Sequence, residues 1–135
     1  MTAVRMKLKC ALPAVLSWVL WANSAHAEFY GKYSDWRSLS VHDRALYAAG
    51  LVDGITVADT TDNYALYYGI VDCFKALEMT PDMVQQAITT YYEQHTSDWG
   101  VQPSVIFAKA IERGMCLKYV NAQRKKKGFP ALPPS

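Results

Sequence analysis

From residue 40 to residue 123 the apolar side chains return at steps of three and four. Nowhere do they alternate over a length that would make a useful strand. That spacing restricts the chain to helices that bury one face against each other. Val41, Ala45, Ala48, Val52 and Ile55 mark a first helix over 40–57, with Ser40 and Asp43 spaced as a capping pair. Leu66, Ile70, Cys73 and Leu77 share one face of a second helix over 64–77, after a polar turn at 58–63. Thr80, Pro81 and Asp82 then form a strong start signal. The threonine oxygen caps, the proline lacks only an N–H that would be unpaired anyway, and the acid complements the helix dipole. Val84, Ala87, Ile88 and Tyr91 or Tyr92 give this third helix its stripe, ending near His95. A fourth opens at Pro103 or Ser104, beyond the loop 96–103, and runs past Cys116 to about Gln123. The expected fold class is all-α, a small bundle of about four helices with one disulfide.

The first 27 residues are set apart from this bundle. Arg5, Lys7 and Lys9 precede a short apolar stretch over 11–22, and Ala25, His26 and Ala27 have the small-x-small form of a cleavage site. The apolar stretch falls short of the ~20 residues that span a bilayer. The expectation is a signal peptide over 1–27, a helical domain over 28–123, and a chain that is periplasmic or secreted with no transmembrane segment after cleavage. Removing Arg5, Lys7 and Lys9 from the 14 basic residues leaves 11 against 12 acidic ones. Four of the 11 sit together as Arg124, Lys125, Lys126 and Lys127, so the body before them is net acidic. This balance argues against nucleic acid as a partner. Residues 124–135, basic and then rich in proline, read as a disordered tail, with the basic run more simply a solvated helix end than a lipid-binding patch.

Two cysteines follow the leader, Cys73 and Cys116. In an oxidising compartment such a pair in a small domain reads as a structural staple. Cys73 lies on the buried face of its helix. Cys116 does not: on a regular wheel it shares a side with Lys109, Glu112 and Arg113. Either the disulfide lies at an edge near the surface, or the helix is distorted at Gly114.

The stretch "RALYAAGLVDGIT" over 44–56 raises a different question, because each glycine inside a helix costs roughly 1 kcal/mol against alanine. Gly50 and Gly54 have no phosphate-loop lysine after them and lie within the helical pattern. They read as a structural seam where a neighbouring helix comes close, with Asp53 half-buried beside it. On that reading Gly50→Leu overpacks the fold.

Chemistry-bearing patterns are scarce. His42 and His95 fall in separate elements, there is no metal-ligand spacing, and no nucleophile elbow appears. The expectation is no enzyme, no catalytic residue, no metal and no cofactor. The aromatic residues stand out instead. Residues 28–39 are aromatic-rich, and Tyr33 and Trp36 should fold back as a lid that seals the core. All nine tyrosines follow the leader. Tyrosine offers apolar area with a polar tip, which suits recognition. Tyr64, Tyr67 and Tyr68 follow the acidic turn containing Asp59 and Asp62, and Trp99 sits in the loop before the fourth helix. These six residues are the expected protein-binding surface.

Taken in order, "YAAGLVDGI" over 47–55, Cys73, "MTPDMVQQAITTYYEQH" over 79–95 and "SVIFAKAIERGMC" over 104–116 resemble the small periplasmic immunity proteins of the Rap/Tai type. The resemblance covers about residues 39–116. It implies a cofactor-free binding protein whose partner is a cognate effector, a peptidoglycan-degrading enzyme delivered by type VI secretion, and which occludes that enzyme's active site. This chain differs from the family pattern in lacking a cysteine between the leader and Cys73, and in extending well beyond Cys116. The alternative is a periplasmic chaperone or stress-protection protein of the small acid-activated helical type, exposing apolar surface as carboxylates protonate. The sequence leaves monomer and homodimer both open.

Overall fold

The computed structural model describes residues 30–57 and 61–135, without the side chains of 56, 57, 61 and 62. The proposed leader, Asp59 and the side chain of Asp62 therefore lie outside the described residues. The elements are α1 (Tyr33–Ser38), α2 (Val41–Val57), α3 (Thr61–Leu77), α4 (Pro81–Gln94), a 3-10 turn (Thr96–Asp98), α5 (Pro103–Phe107), a π-helical segment (Ala108–Met115) and α6 (Leu117–Lys126). No strand occurs among the described residues, and none of their helices is long and apolar enough to cross a membrane. The architecture is an all-α bundle in which α3 packs mainly on α6 and α2 mainly on α4.

The helix starts follow from local chemistry. The Asp43 backbone N–H donates to Ser40 Oγ at 3.1 Å, while that hydroxyl donates to the Asp43 carboxylate at 2.6 Å. At α4 the Met83 N–H donates to Thr80 Oγ1 at 3.3 Å, with Pro81 in the first turn. α3 already includes Thr61, three residues before the expected start, and so takes in the end of the expected polar turn.

The core joins Trp36, Ala48, Ile70, Cys73, Val84, Ile88, Tyr92, Ile106, Ile111, Cys116 and Val120. Trp36 comes from α1, is fully buried, and donates its indole N–H to Thr89 Oγ1 at 3.0 Å. The aromatic segment before α2 thus seals the core as a short helix.

Cys73 and Cys116 form a disulfide, with Cα atoms 5.5 Å apart and both residues fully buried. An edge bridge near the surface is therefore excluded. The fourth helical run is instead distorted, through residues 108–115. There the Cys116 N–H donates to the Ile111 carbonyl at 2.8 Å, five residues back rather than four. A π turn advances the side chains less per residue than an α turn. The shift accumulated over this segment rotates Cys116 from the polar side to the core. Gly114 lies within this segment, and an added Cβ there would stand 3.1 Å from the Lys109 carbonyl oxygen.

The seam expected at Gly50, Asp53 and Gly54 is corrected. All three are exposed, and a Cβ built on either glycine meets no described atom within 4 Å. α2 packs inward through Ala45 and Ala48. Gly50, two residues beyond Ala48, lies roughly 200° around the helix from it and faces outward. The close approach occurs at Gly69, buried on α3 against the backbone of Val120 on α6.

The tail expected to be disordered is tied down. α6 continues through Arg124 and Lys125 to Lys126, so the basic run is its last turn, favourable at the carbonyl end of the dipole. The chain then folds back along α6. Arg124 is buried, donates from Nε to the Pro130 carbonyl at 2.8 Å and lies over the Phe129 ring. Asn121 and Leu132 exchange two hydrogen bonds, 3.1 and 2.7 Å, and Leu132 packs on the core.

Candidate functional site

The loop between α4 and α5 presents Trp99, which is 47% exposed. Its indole N–H, one ring contact and its backbone all have internal partners. The Trp99 indole N–H donates to the Tyr92 carbonyl at 2.9 Å, and its ring rests on Tyr33, centroids 5.2 Å apart. The Tyr33 N–H donates to the Trp99 carbonyl at 2.9 Å, which fixes the backbone at the same point.

The rest of the loop is clamped by buried and charged partners. Tyr92, fully buried, donates its hydroxyl to the Val101 carbonyl at 2.6 Å. Burial holds that hydroxyl's pKa far above the usual tyrosine value, so it stays a donor. The Val101 N–H closes a turn onto the Asp98 carbonyl at 2.9 Å. Asp98 pairs with Lys109 at 2.7 Å across to the π segment. That hydrogen bond lowers the carboxyl pKa and raises that of the amine. Beside them Tyr91 stacks on His95 with centroids 4.0 Å apart.

A groove of about 630 Å³ opens alongside, floored by Tyr33 and Trp99 and flanked by Lys32 and Arg37 from α1 and the residue before it. Ser34 and Ser38 complete that wall. Of the groove residues, the sequence singles out Trp99 for its expected binding surface and Tyr33 for sealing the core, and it gives Lys32 and Arg37 no role. The signal available was the aromatic-rich stretch before α2, whose meeting with residue 99 is a tertiary event.

The tyrosines form a second, separate cluster on the first turns of α3. Tyr64 and Tyr68, 45% and 50% exposed, stack with centroids 6.5 Å apart, as residues four apart on a helix do. Tyr67 meets Tyr68 edge-on at 5.4 Å. Three of the six expected surface residues are thus brought together, Trp99 belongs to the other cluster, and no ring contact among the described residues joins the two. Among the described residues, no three His, Cys, Asp or Glu side chains converge as metal ligands would. No protein-family model matches the chain, and neither a curated protein nor a solved structure does.

Proposed function

We propose that this protein is an exported binding protein of the immunity type. It works by occluding the active-site cleft of a peptidoglycan-degrading effector delivered by type VI secretion. The resemblance of residues 39–116 to the Rap/Tai pattern supplies the effector class, and the leader-like segment supplies the compartment. The observation that carries the binding role is Trp99: half its surface meets solvent, yet its N–H, ring face and backbone are all engaged internally. Such a ring offers apolar area without the entropy cost of ordering a loose side chain, the property of a binding hot spot. The tyrosine cluster on α3 provides a second patch of the same chemistry.

The test is direct. The product of each gene flanking this one is sent to the periplasm, with and without co-expression of the protein. Protection from lysis, together with a stoichiometric complex on co-purification, is expected for one of them. Trp99→Ala should weaken that complex at least tenfold. A wild-type protein that binds neither product and protects against neither ends the immunity reading.

A further inference from the structure

We infer that the groove beside Trp99 receives an acidic segment of a protein partner, its carboxylates meeting Lys32 and Arg37 while an apolar side chain lies on the Trp99 ring. The inference rests on the binding-protein reading above and gives the partner a chemistry.

Charge complementarity carries it. Lys32 and Arg37 are exposed on the groove wall, and no acidic residue among those described lines the groove. Two carboxylates on the adjoining segments have partners of their own. Asp35 accepts from the Gly31 N–H at 3.1 Å and from the Ser34 hydroxyl at 3.2 Å, and Asp98 is held by Lys109 at 2.7 Å. Neither Lys32 nor Arg37 forms an ion pair with a described residue. A cationic wall is also a local departure, because the chain between the leader and Arg124 is net acidic. A partner matched only to the average charge of this body would be basic; one matched to this groove presents carboxylates.

The floor suits an apolar contact. The Trp99 N–H is satisfied by Tyr92, so covering the ring leaves no stranded donor. The Ser34 and Ser38 hydroxyls donate internally, to Asp35 side chain and backbone, and keep acceptor capacity toward the groove. A partner strand lying here can donate backbone N–H groups to them. The platform is fixed before binding, through the bond from the Tyr33 N–H to the Trp99 carbonyl.

The experiment uses the full chain and the purified products of the flanking genes. Affinity is measured for wild type, for Lys32→Glu with Arg37→Glu, and for Lys125→Glu with Lys126→Glu at the exposed end of α6. Melting curves check that each variant is folded, which exposed positions should permit. The expected result is one product that binds wild type, binds the groove reversal at least tenfold more weakly, and binds the α6 reversal within twofold. Binding to wild type should also weaken as salt rises, and much less so for the groove reversal. If a product binds wild type and the groove reversal equally, or binds the reversal more tightly, the acidic-segment inference is overturned while the binding role stands. If no product binds wild type, both fall.

Discussion

Gly69 faces the backbone of Val120 so closely that an added Cβ would stand 2.5 Å from the Val120 Cα and 2.9 Å from its nitrogen. Backbone cannot swing aside as a side-chain tip can, so α3 and α6 would have to separate. Gly69→Ala is expected to destabilise the fold by about 1–3 kcal/mol through overpacking. Gly50→Ala should do the reverse. It adds a methyl group into open space on a helix and removes the roughly 1 kcal/mol propensity cost of glycine. Urea unfolding of the two variants checks the pair, and a stabilised Gly69→Ala would contradict the crossing described.

The disulfide closes a loop with a sequence separation of 43. In the chain-entropy account that constraint contributes up to about 4 kcal/mol. Cys73→Ala with Cys116→Ala should therefore lower stability by about 2–4 kcal/mol. Because both cysteines are fully buried, a reductant should reach the bond slowly in the native protein and quickly in denaturant. Thiol labelling over time in both conditions measures this. Equal rates would argue that α3 and α6 part readily.

The parts of the fold that were legible in advance are those whose cause is local. Ser40 and Thr80 cap their helices through residues three positions away, and Pro81 declares a helix start by its own geometry. Cys116 shows where local reading stops. The wheel exposed a conflict, and it offered two resolutions, but choosing between them required knowing that residues 108–115 widen into π turns. Gly50 and Gly69 look alike in sequence; only the identity of the inward face, set by Ala48 on one helix and Ile70 on the other, separates them. The groove beside Trp99 was illegible for the same reason, since Lys32 and Arg37 reach it from a distant part of the chain.

Tyr92 sets an alkaline limit on the stability of the fold around the loop between α4 and α5. Burial raises its pKa above the ordinary 10.0, so the folded state favours the neutral phenol. The resulting stabilisation is complete below pH 10 and is lost as pH rises above it, because the unfolded chain ionises first. Tyr92→Phe gives up the bond to Val101, at a cost of about 1 kcal/mol near neutrality. In exchange it sheds part of the alkaline loss. Tyr47, also raised by burial and partly offset by its hydrogen bond with Ser104, leaves a residual slope. Denaturant titrations between pH 8 and pH 11 should show the gap between wild type and Tyr92→Phe narrowing as pH rises, and a constant gap would contradict the assignment.

Residues 128–135 are expected to contribute to stability despite their composition. Glycine and three prolines after a basic run suggest a chain with no reason to order, yet each proline also lowers the entropy lost on docking. The docked tail gives Arg124 the Pro130 carbonyl and the Phe129 ring, and gives the Asn121 side chain both a donor and an acceptor at Leu132. Deleting residues 128–135 removes all of these and uncovers part of the core face that Leu132 packs against. With several bonds near 1 kcal/mol each, set against the entropy regained by eight residues, a net loss of about 1–3 kcal/mol is expected. Asn121→Ala should produce a smaller loss in the intact chain and almost none in the shortened one, because its partner has gone. If the deletion leaves the melting temperature unchanged, or Asn121→Ala costs the same in both backgrounds, the tail does not dock on α6 as described.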